Sequence, residues 1–154
     1  MRDAIRKELE LYLDRFHRAL ERLDDATVWQ RPAEGVNSVA NLVLHIEGNI
    51  RLFVGQGVGG LEYERDRNAE FEARDGKSIA ELRAIVRQTR ELVGNVLGDA
   101  SDETLAQPSE FEDFATKREL VLHVMAHAGF HAGQALLMAK LLSKDTTRLL
   151  DWGH

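Results

Sequence analysis

Residues 116–143 read TKRELVLHVMAHAGFHAGQALLMAKLLS, and this stretch decides the fold that we expect for the whole chain. It opens with Thr116 and Glu119, which have the spacing of a helix capping box. From there it is apolar nearly all round as far as Lys140, with its pattern repeating at the period of a helix. A helix without a polar face has to be covered on more than one side. The stretch therefore predicts a long, well-covered helix.

Within this helix, His123, His127 and His131 recur every four residues, and Gln134 follows. Because an α-helix turns by about 100° per residue, these four side chains lie on one stripe. Apolar residues occupy the same arc, so we expect the stripe to face the interior of the protein. These apolar residues are Leu120, Val124, Ala135, Met138 and Leu142.

The histidine spacing is suited to metal binding, because two imidazoles four residues apart project from adjacent turns and can close on one cation. The outer two histidines are separated by about 12 Å of helix rise, so three cannot easily share a metal. One adjacent pair is the expected ligand set, with at least one ligand from elsewhere. A metal-free hydrogen-bonded network is the alternative, although each unpaired buried polar group costs roughly 1–3 kcal/mol.

Composition restricts the class of protein. A chain of 154 residues is expected to form one domain over residues 1–154. Its net charge of −6 and lack of a basic run argue against nucleic acid. With no cysteine, disulfides, zinc–thiolate sites and cysteine nucleophiles are excluded. The charged N-terminus and the absence of an obvious membrane span predict a cytoplasmic protein that does not bind membranes.

Strand-like alternation is missing, and helical periodicity predicts four helices at about residues 2–24, 38–54, 78–97 and 116–143. The expected fold is an all-α four-helix bundle with a long connection between helices 2 and 3. That connection, residues 55–77, is highly charged after its glycine-rich start. We interpret it as a solvent-exposed loop.

The second predicted helix carries another inward polar patch. His45 lies at the rim of its buried arc and Asn49 lies within that arc, one turn later. Asn49 and Gln134 are the candidate hydrogen-bond partners of ligating histidines, with ordinary core hydrogen bonding as the equal alternative. The inward arcs of helices 2 and 4 contain no carboxylate. Tyr12 or the acidic loop 55–77 is the remaining candidate source of a general base.

The apolar outer side of the fourth predicted helix suggests a second interface. Small residues at Ala126, Gly129 and Gly133 share one stripe, which would allow a neighbouring backbone to approach closely. The outer apolar residues are Val121, Leu122, Met125 and Leu136. We expect a homodimer packed through this helix, with burial inside the monomer as the equal alternative.

Two segments together resemble the DinB-like superfamily, which includes metal-dependent enzymes and relatives of bacillithiol transferases and mycothiol-dependent isomerases. Residues 37–51, NSVANLVLHIEGNIR, look like the family's second-helix segment, and residues 127–134, HAGFHAGQ, are similar to its closing motif. Residues 65–71, RDRNAEF, resemble a loop found in one branch. Ala132 stands where many relatives carry a basic residue, so an anion-binding role of that side chain is absent.

The resemblance implies a four-helix fold and a metal site made by His45, His127 and His131, with His123 as a neighbour. Three neutral imidazoles suit zinc or nickel first, with iron, manganese and copper as alternatives. The implied activity is that of a metal-dependent thiol S-transferase or related hydrolase, with a low-molecular-weight thiol as a possible cofactor and an unidentified small-molecule substrate. Two other hypotheses stay open: a structural metal in a ligand- or partner-binding bundle, and a metal-free histidine network.

Overall fold

Helices form the regular structure of residues 1–144, the part of the chain that the computed structural model describes, apart from one isolated bridge between Pro108 and Thr116. The all-α prediction is confirmed. The helices are α1 Arg2–Leu20, α2 Val39–Ile50, α3 Arg67–Glu72, α4 Ile79–Asp99, α5 Asp102–Ala106 and α6 Lys117–Ser143, and a π-helical segment Arg51–Gln56 continues α2.

The long helices α1, α2, α4 and α6 correspond to the four predicted ones. Ser78 caps α4 in a reciprocal capping box with Glu81, as the sequence predicts. At α6, Thr116 accepts a hydrogen bond from the Glu119 amide, whereas the Glu119 carboxylate accepts from the Ala115 amide. The predicted box at α6 is therefore only half formed. The first helix ends at residue 20 rather than near residue 24.

The apolar stripes of the long helices meet in one core. Helix α1 packs most extensively against α6 and α4, and α2 packs against α4 and α6. The largest fully buried side chains are Leu9, Leu13, Phe16 and Leu20 of α1, Ile46 and Ile50 of α2, Leu82 and Leu97 of α4, and Leu120 of α6. This packing fixes α2 beside α6, which are the two helices that carry the histidines.

The π-helical segment after α2 ends where the chain passes close to α6. A Cβ atom at Gly57 would lie 2.6 Å from the Phe53 carbonyl oxygen and 2.8 Å from a Leu120 methyl group. Both distances are far below a normal contact, so only glycine fits here. Gly57 therefore lets the end of this segment lie directly against α6.

The connection between α2 and α4 differs from the solvent-exposed loop that its charge predicts. It contains the short helix α3, which is capped by the Asp66 carboxylate, and it buries Glu70 to 7% exposure. The charged residues of this connection do not repeat at the period of an amphipathic helix, so the sequence pattern did not predict α3. Burial of Glu70 depends on partners that lie far away in sequence, which sequence periodicity cannot reveal.

Two side chains outside the connection hold α3 against α2. The Asn41 side-chain amide donates hydrogen bonds to the carbonyl oxygens of Glu70 and Ala73, both at 2.9 Å. Arg31 Nη2 donates to the Phe71 carbonyl at 2.6 Å and to Asn41 Oδ1 at 3.1 Å. Because Asn41 is fully buried, these bonds are protected from water. They fix the backbone of α3.

Helix α6 is long and apolar enough, by length and composition, to cross a membrane, which the sequence inspection did not anticipate. The same test is passed by core helices of soluble proteins, and α6 packs against α1 and α2. Val121 and Leu136 of its expected outer side are buried inside the monomer. The large exposed apolar residues of α6 are Leu122, Phe130, Leu137 and Leu141.

Replacing Leu9 with Ala should lower the free energy of unfolding by about 2–5 kcal/mol, because Leu9 is fully buried between α1 and its neighbours. Leu11 on the same helix is 37% exposed and provides the matched control. Urea unfolding followed by circular dichroism would measure both variants. Equal losses in Leu9→Ala and Leu11→Ala would contradict the packing of α1 described above.

Candidate metal centre

The structure brings together three histidines from two helices. His45 of α2 is buried, and His127 and His131 of α6 are half-buried. His45 Nε2 lies 2.8 Å from His127 Nε2, and one potential ligand atom from each of the three residues lies within 4.8 Å of the others. This group could hold a metal ion. It contains the residues that the family resemblance implied.

His123, the first histidine of the stripe, lies beside the group rather than in it. Its ring stacks on His127 with an interplanar angle of 16° and a centroid distance of 5.9 Å, and it contacts Phe114 at 5.0 Å. His123 and Gln134 are exposed to solvent. The expectation that the whole stripe faces the interior is therefore wrong, because at about 100° per residue His123 and Gln134 lie on the opposite edge of the arc from its buried apolar residues.

The ring of His45 is held from behind by the connection that contains α3. Glu70 Oε2 lies 2.9 Å from His45 Nδ1, and the Phe71 ring packs at 4.6 Å from the His45 ring. Arg65 donates hydrogen bonds to both oxygens of Glu70, from Nε at 2.6 Å and from Nη2 at 2.8 Å. The carboxylate that was missing from the inward arcs of the predicted helices is thus supplied by this connection.

His131 has a hydrogen-bond partner on its own helix. Its Nδ1 lies 2.7 Å from Gln134 Oε1, one turn later. A carbonyl oxygen can only accept, so the Nδ1 of His131 carries the hydrogen and its Nε2 keeps a lone pair. Gln134 therefore accepts a hydrogen bond from the His131 ring, and its role as the partner of a metal-ligating histidine stays a prediction.

Asn49 and Tyr12 are placed differently from their expected roles. The Nδ1 of His45 is taken by Glu70, and Asn49 Oδ1 is buried without a hydrogen-bond partner among the described residues. The Tyr12 ring packs against Gly129, where a Cβ would lie 3.0 Å from Tyr12 Cζ. Gly129 is about 200° around the helix from His127. Tyr12 therefore lies behind α6, away from the histidine group.

Burial and the neighbouring imidazoles favour the neutral forms of His127 and His131. Burial, followed by repulsion from His131 and His45, lowers the pKa of His127 to about 4. Burial also lowers the pKa of His131, although the hydrogen bond to Gln134 opposes this shift. Because both pKa values lie below the ordinary value, the unprotonated forms dominate at neutral pH. Neutral imidazole is the form that binds a metal.

The Glu70 carboxylate is ionised at neutral pH despite its burial. Burial by itself raises the pKa of this carboxyl, but the hydrogen bonds from His45 and Arg65 and the charge of Arg65 outweigh that effect. The pKa of Glu70 is consequently below its ordinary value. An ionised carboxylate accepts and cannot donate, so the His45 Nδ1 carries the hydrogen and its Nε2, which faces His127 Nε2, keeps a lone pair.

These contacts meet the chemical requirements of a metal site. Histidine ligands in metalloproteins usually donate their second ring N–H to a carboxylate or carbonyl oxygen, and His45 and His131 both do so. Three histidine ligands leave coordination positions open for water or substrate. The donor set is compatible with several divalent transition metals and does not identify one.

A sequence model of the DinB superfamily matches residues 8–135. The chain belongs to the DinB superfamily. The matched range includes the three histidines and the connection that carries Glu70.

Solved structures show the same fold. A conserved protein from Enterococcus faecalis matches with a TM-score of 0.75 at 15% identity, covering 93% of this chain and 97% of that protein. A DinB-like protein from Bacillus subtilis matches with a TM-score of 0.73 at 19% identity, covering 94% of both chains. No curated protein matches the sequence. The DinB-like fold is thus shown, whereas the reaction is not.

Arg65 and Glu70 are the site residues that reasoning from the sequence left unassigned. The segment 65–71 was recognised as similar to a loop of one DinB-like branch, but its charges indicated exposure to solvent. One available signal was Asp66, a helix-capping residue followed by a short run that could form a helical turn. That turn directs Glu70 inward and leaves Glu72 exposed.

Gly48 provides a test of how closely Glu70 lies against α2. A Cβ at Gly48 would lie 2.1 Å from Glu70 Oε1 and 3.1 Å from Arg65 Nε. Gly48→Ala should therefore displace this ion pair and lower the free energy of unfolding by about 1–3 kcal/mol.

The matched control is Gly98→Ala, since Gly98 is a helical glycine with nothing within 4 Å of an added Cβ. It should be neutral or stabilising by up to about 1 kcal/mol, because alanine favours the helix. Chemical unfolding would compare the two variants. If Gly48→Ala were as stable as Gly98→Ala, the close approach of Glu70 to α2 would be wrong.

Proposed function

We propose that this DinB superfamily protein is a metal-dependent enzyme whose centre is held by His45, His127 and His131. The observation that carries the proposal is the arrangement of the ring nitrogens. His45 and His131 each donate a hydrogen bond from Nδ1, to Glu70 and Gln134, which leaves a lone pair on Nε2 of both rings for a metal ion. If the three histidines served only to pack the helices together, their second ring nitrogens would not need to point toward one another.

The reaction class that we propose is thiol S-transfer or a related hydrolysis. A divalent cation held by neutral imidazoles acts as a Lewis acid toward an oxygen or sulfur group of the substrate. The residues of this chain supply the other requirements: His45 and Glu70 are shielded from water, while exposed His123 marks the side from which a substrate can approach. The DinB-like resemblance favours a low-molecular-weight thiol as cosubstrate.

Asn49 is a further polar residue of α2 whose side-chain oxygen has an unfilled hydrogen-bond position in the part of the chain that the structure describes. Its Oδ1 is buried, lacks a hydrogen-bond partner among the described residues, and belongs to the residue one helical turn after His45. Leaving such an acceptor unpaired costs roughly 1–3 kcal/mol. A water molecule or substrate donor at this position would remove that cost.

A structural role for the centre is the second candidate. His45 and His127 already connect α2 to α6 through their 2.8 Å contact, so a metal could simply strengthen this connection in a ligand- or partner-binding protein. The two functions differ in the coordination of the ion. An enzyme needs a position that exchanges water or substrate, whereas a structural site is closed. We favour the enzyme because three protein ligands leave such a position.

Metal content tests the proposal directly. Protein purified without a metal-affinity column or chelator should contain about one equivalent of a transition metal by elemental analysis, with zinc or nickel expected before iron or manganese. The variants His45→Ala, His127→Ala and His131→Ala should each lose most of this metal, because each removes one of three ligands.

His123→Ala is the matched control, since His123 stacks on His127 without joining the group of three. It should retain the metal content of the wild type. Circular dichroism would verify that all four variants keep their helices. Equal metal occupancy in the four variants, or no uptake of zinc, nickel, iron or manganese by the wild type, would contradict the proposed centre.

We also propose that a second copy of the chain covers the exposed apolar side of α6. Phe130 is 64% exposed, Leu137 48% and Leu141 62%, and together with Leu122 they span an arc of about 100° on the helix. Gly129 of the expected small-residue stripe is excluded from this surface, because Tyr12 covers it within the monomer. A large exposed apolar stripe is typical of an interaction surface.

The oligomeric state tests this second proposal. Size-exclusion chromatography with light scattering should give twice the chain mass for the wild type and the chain mass for Phe130→Glu, because the substitution places a charge in the apolar contact. Leu61→Glu is the control, since Leu61 is 48% exposed but lies outside α6. A monomeric wild type would refute the dimer.

A cytoplasmic location remains a prediction from the sequence.

A further inference from the structure

Glu70 and Arg65 form an ion pair that is unusually well covered. The side-chain exposures are 8% for Glu70 and 10% for Arg65, and His45 beside them is 5% exposed. Burying a charge is costly unless it is paired and hydrogen-bonded. Three donor atoms meet this requirement for the carboxylate: Arg65 Nε at Oε1, and Arg65 Nη2 and His45 Nδ1 at Oε2.

We propose that Glu70 is a positioning residue of the metal centre: its carboxylate, oriented by Arg65, fixes His45 as the Nδ1–H tautomer and so presents Nε2 as the metal ligand. This inference rests on the proposed metal centre. Glu70 acts through His45, because it contacts the ring nitrogen that points away from His127. Its effect is therefore on the direction and basicity of one ligand.

The hydrogen-bond geometry leaves one consistent assignment for His45. Arg65 Nη2 has two hydrogens, and its acceptors are Glu70 Oε2 at 2.8 Å and the His45 carbonyl oxygen at 3.3 Å. Although Arg65 Nη2 also lies 3.2 Å from His45 Nδ1, it has no third hydrogen to donate there. A lone pair on Nδ1 would face the ionised Oε2 at 2.9 Å, which is repulsive. The hydrogen therefore lies on Nδ1.

Anchoring of the α3 connection is a separate task with separate residues. Arg31 and Asn41 bind the carbonyl oxygens of Glu70, Phe71 and Ala73, and these bonds do not involve the Glu70 side chain. The carboxylate is instead directed toward the His45 ring, in the space that Gly48 leaves free. The structure therefore separates the residues that fix the backbone from the residue that orients the ligand.

The three ligands are consequently unequal. An ionised carboxylate on Nδ1 increases the electron density of the imidazole more than a neutral amide does, so His45 should be a stronger donor than His131, which is paired with Gln134. Removing a hydrogen-bond partner of this kind typically lowers metal affinity by about 10–100-fold. The same removal should also allow the His45 ring to carry its hydrogen on either nitrogen.

The experiment compares Glu70→Gln with two controls. The glutamine amide can adopt two orientations. Its NH₂ group faces Arg65 Nε in one of them, and it faces Arg65 Nη2 and His45 Nδ1 in the other. Glu72→Gln changes the same charge on the exposed side of α3, and Arg31→Gln weakens the backbone anchor without touching the carboxylate. Arg65→Lys keeps a positive charge but loses the two-point contact with the carboxylate. This variant replaces Glu70→Gln in the comparison if Glu70→Gln does not fold.

Two measurements are made on each protein: the tautomer of His45 by ¹⁵N NMR of the metal-free form, and the affinity for Zn²⁺ and Ni²⁺ by competition with a chelator. In the wild type, Glu72→Gln and Arg31→Gln, His45 should be the Nδ1–H tautomer. Glu70→Gln should show a mixture of tautomers and an affinity lower by about 10–100-fold. Arg65→Lys should keep the tautomer with a smaller loss of affinity.

An unchanged His45 tautomer in Glu70→Gln, or an equal loss of affinity in Arg31→Gln, would overturn the positioning role and leave Glu70 as a structural residue. Failure of the proposed function is a different result, since the wild type would then bind neither Zn²⁺ nor Ni²⁺. The NMR comparison of the metal-free proteins would still decide whether Glu70 sets the tautomer of His45.

Discussion

Burial of one imidazole places the strongest constraint on this structure. His45 is 4% exposed, and both of its ring nitrogens need partners that water cannot supply. One partner, His127, comes from α6, and the other, Glu70, comes from the connection after α2. Satisfying both nitrogens requires α2, α3 and α6 to meet at one point. The candidate metal centre lies at that point.

The contacts behind His45 form a hierarchy. Arg31 and Asn41 bind the backbone of α3, whereas Arg65 orients the Glu70 carboxylate. Each step uses groups with little access to water, so each hydrogen bond is stronger than it would be at the surface. These contacts hold the His45 ring in one orientation, with Nδ1 toward Glu70 and Nε2 toward His127.

The exposed apolar side of α6 lies next to the histidine group. Tyr12 of α1 packs on Gly129, whereas Phe130 next to it is largely exposed and lies 5.1 Å from the His131 ring. The exposed apolar side of the helix therefore borders the histidine group. If a second copy covers that side, it also changes the access of solvent to His131. Association and the properties of the centre would then be coupled through one helix.

The candidates His45, His127 and His131 came from the resemblance of two sequence segments to the DinB-like superfamily. The sequence by itself determined the helical class and the extents of the four long helices to within a few residues. These features are local, since periodicity and capping are set by residues within one or two turns. Only the tertiary structure decided which groups complete the centre. Glu70 lies 25 residues from His45 in sequence, and its burial became favourable only when Arg65, His45 and the gap at Gly48 met in the fold. A charged residue is predicted to be exposed unless its partners are known, because burial of a charge is stable only when the charge is paired.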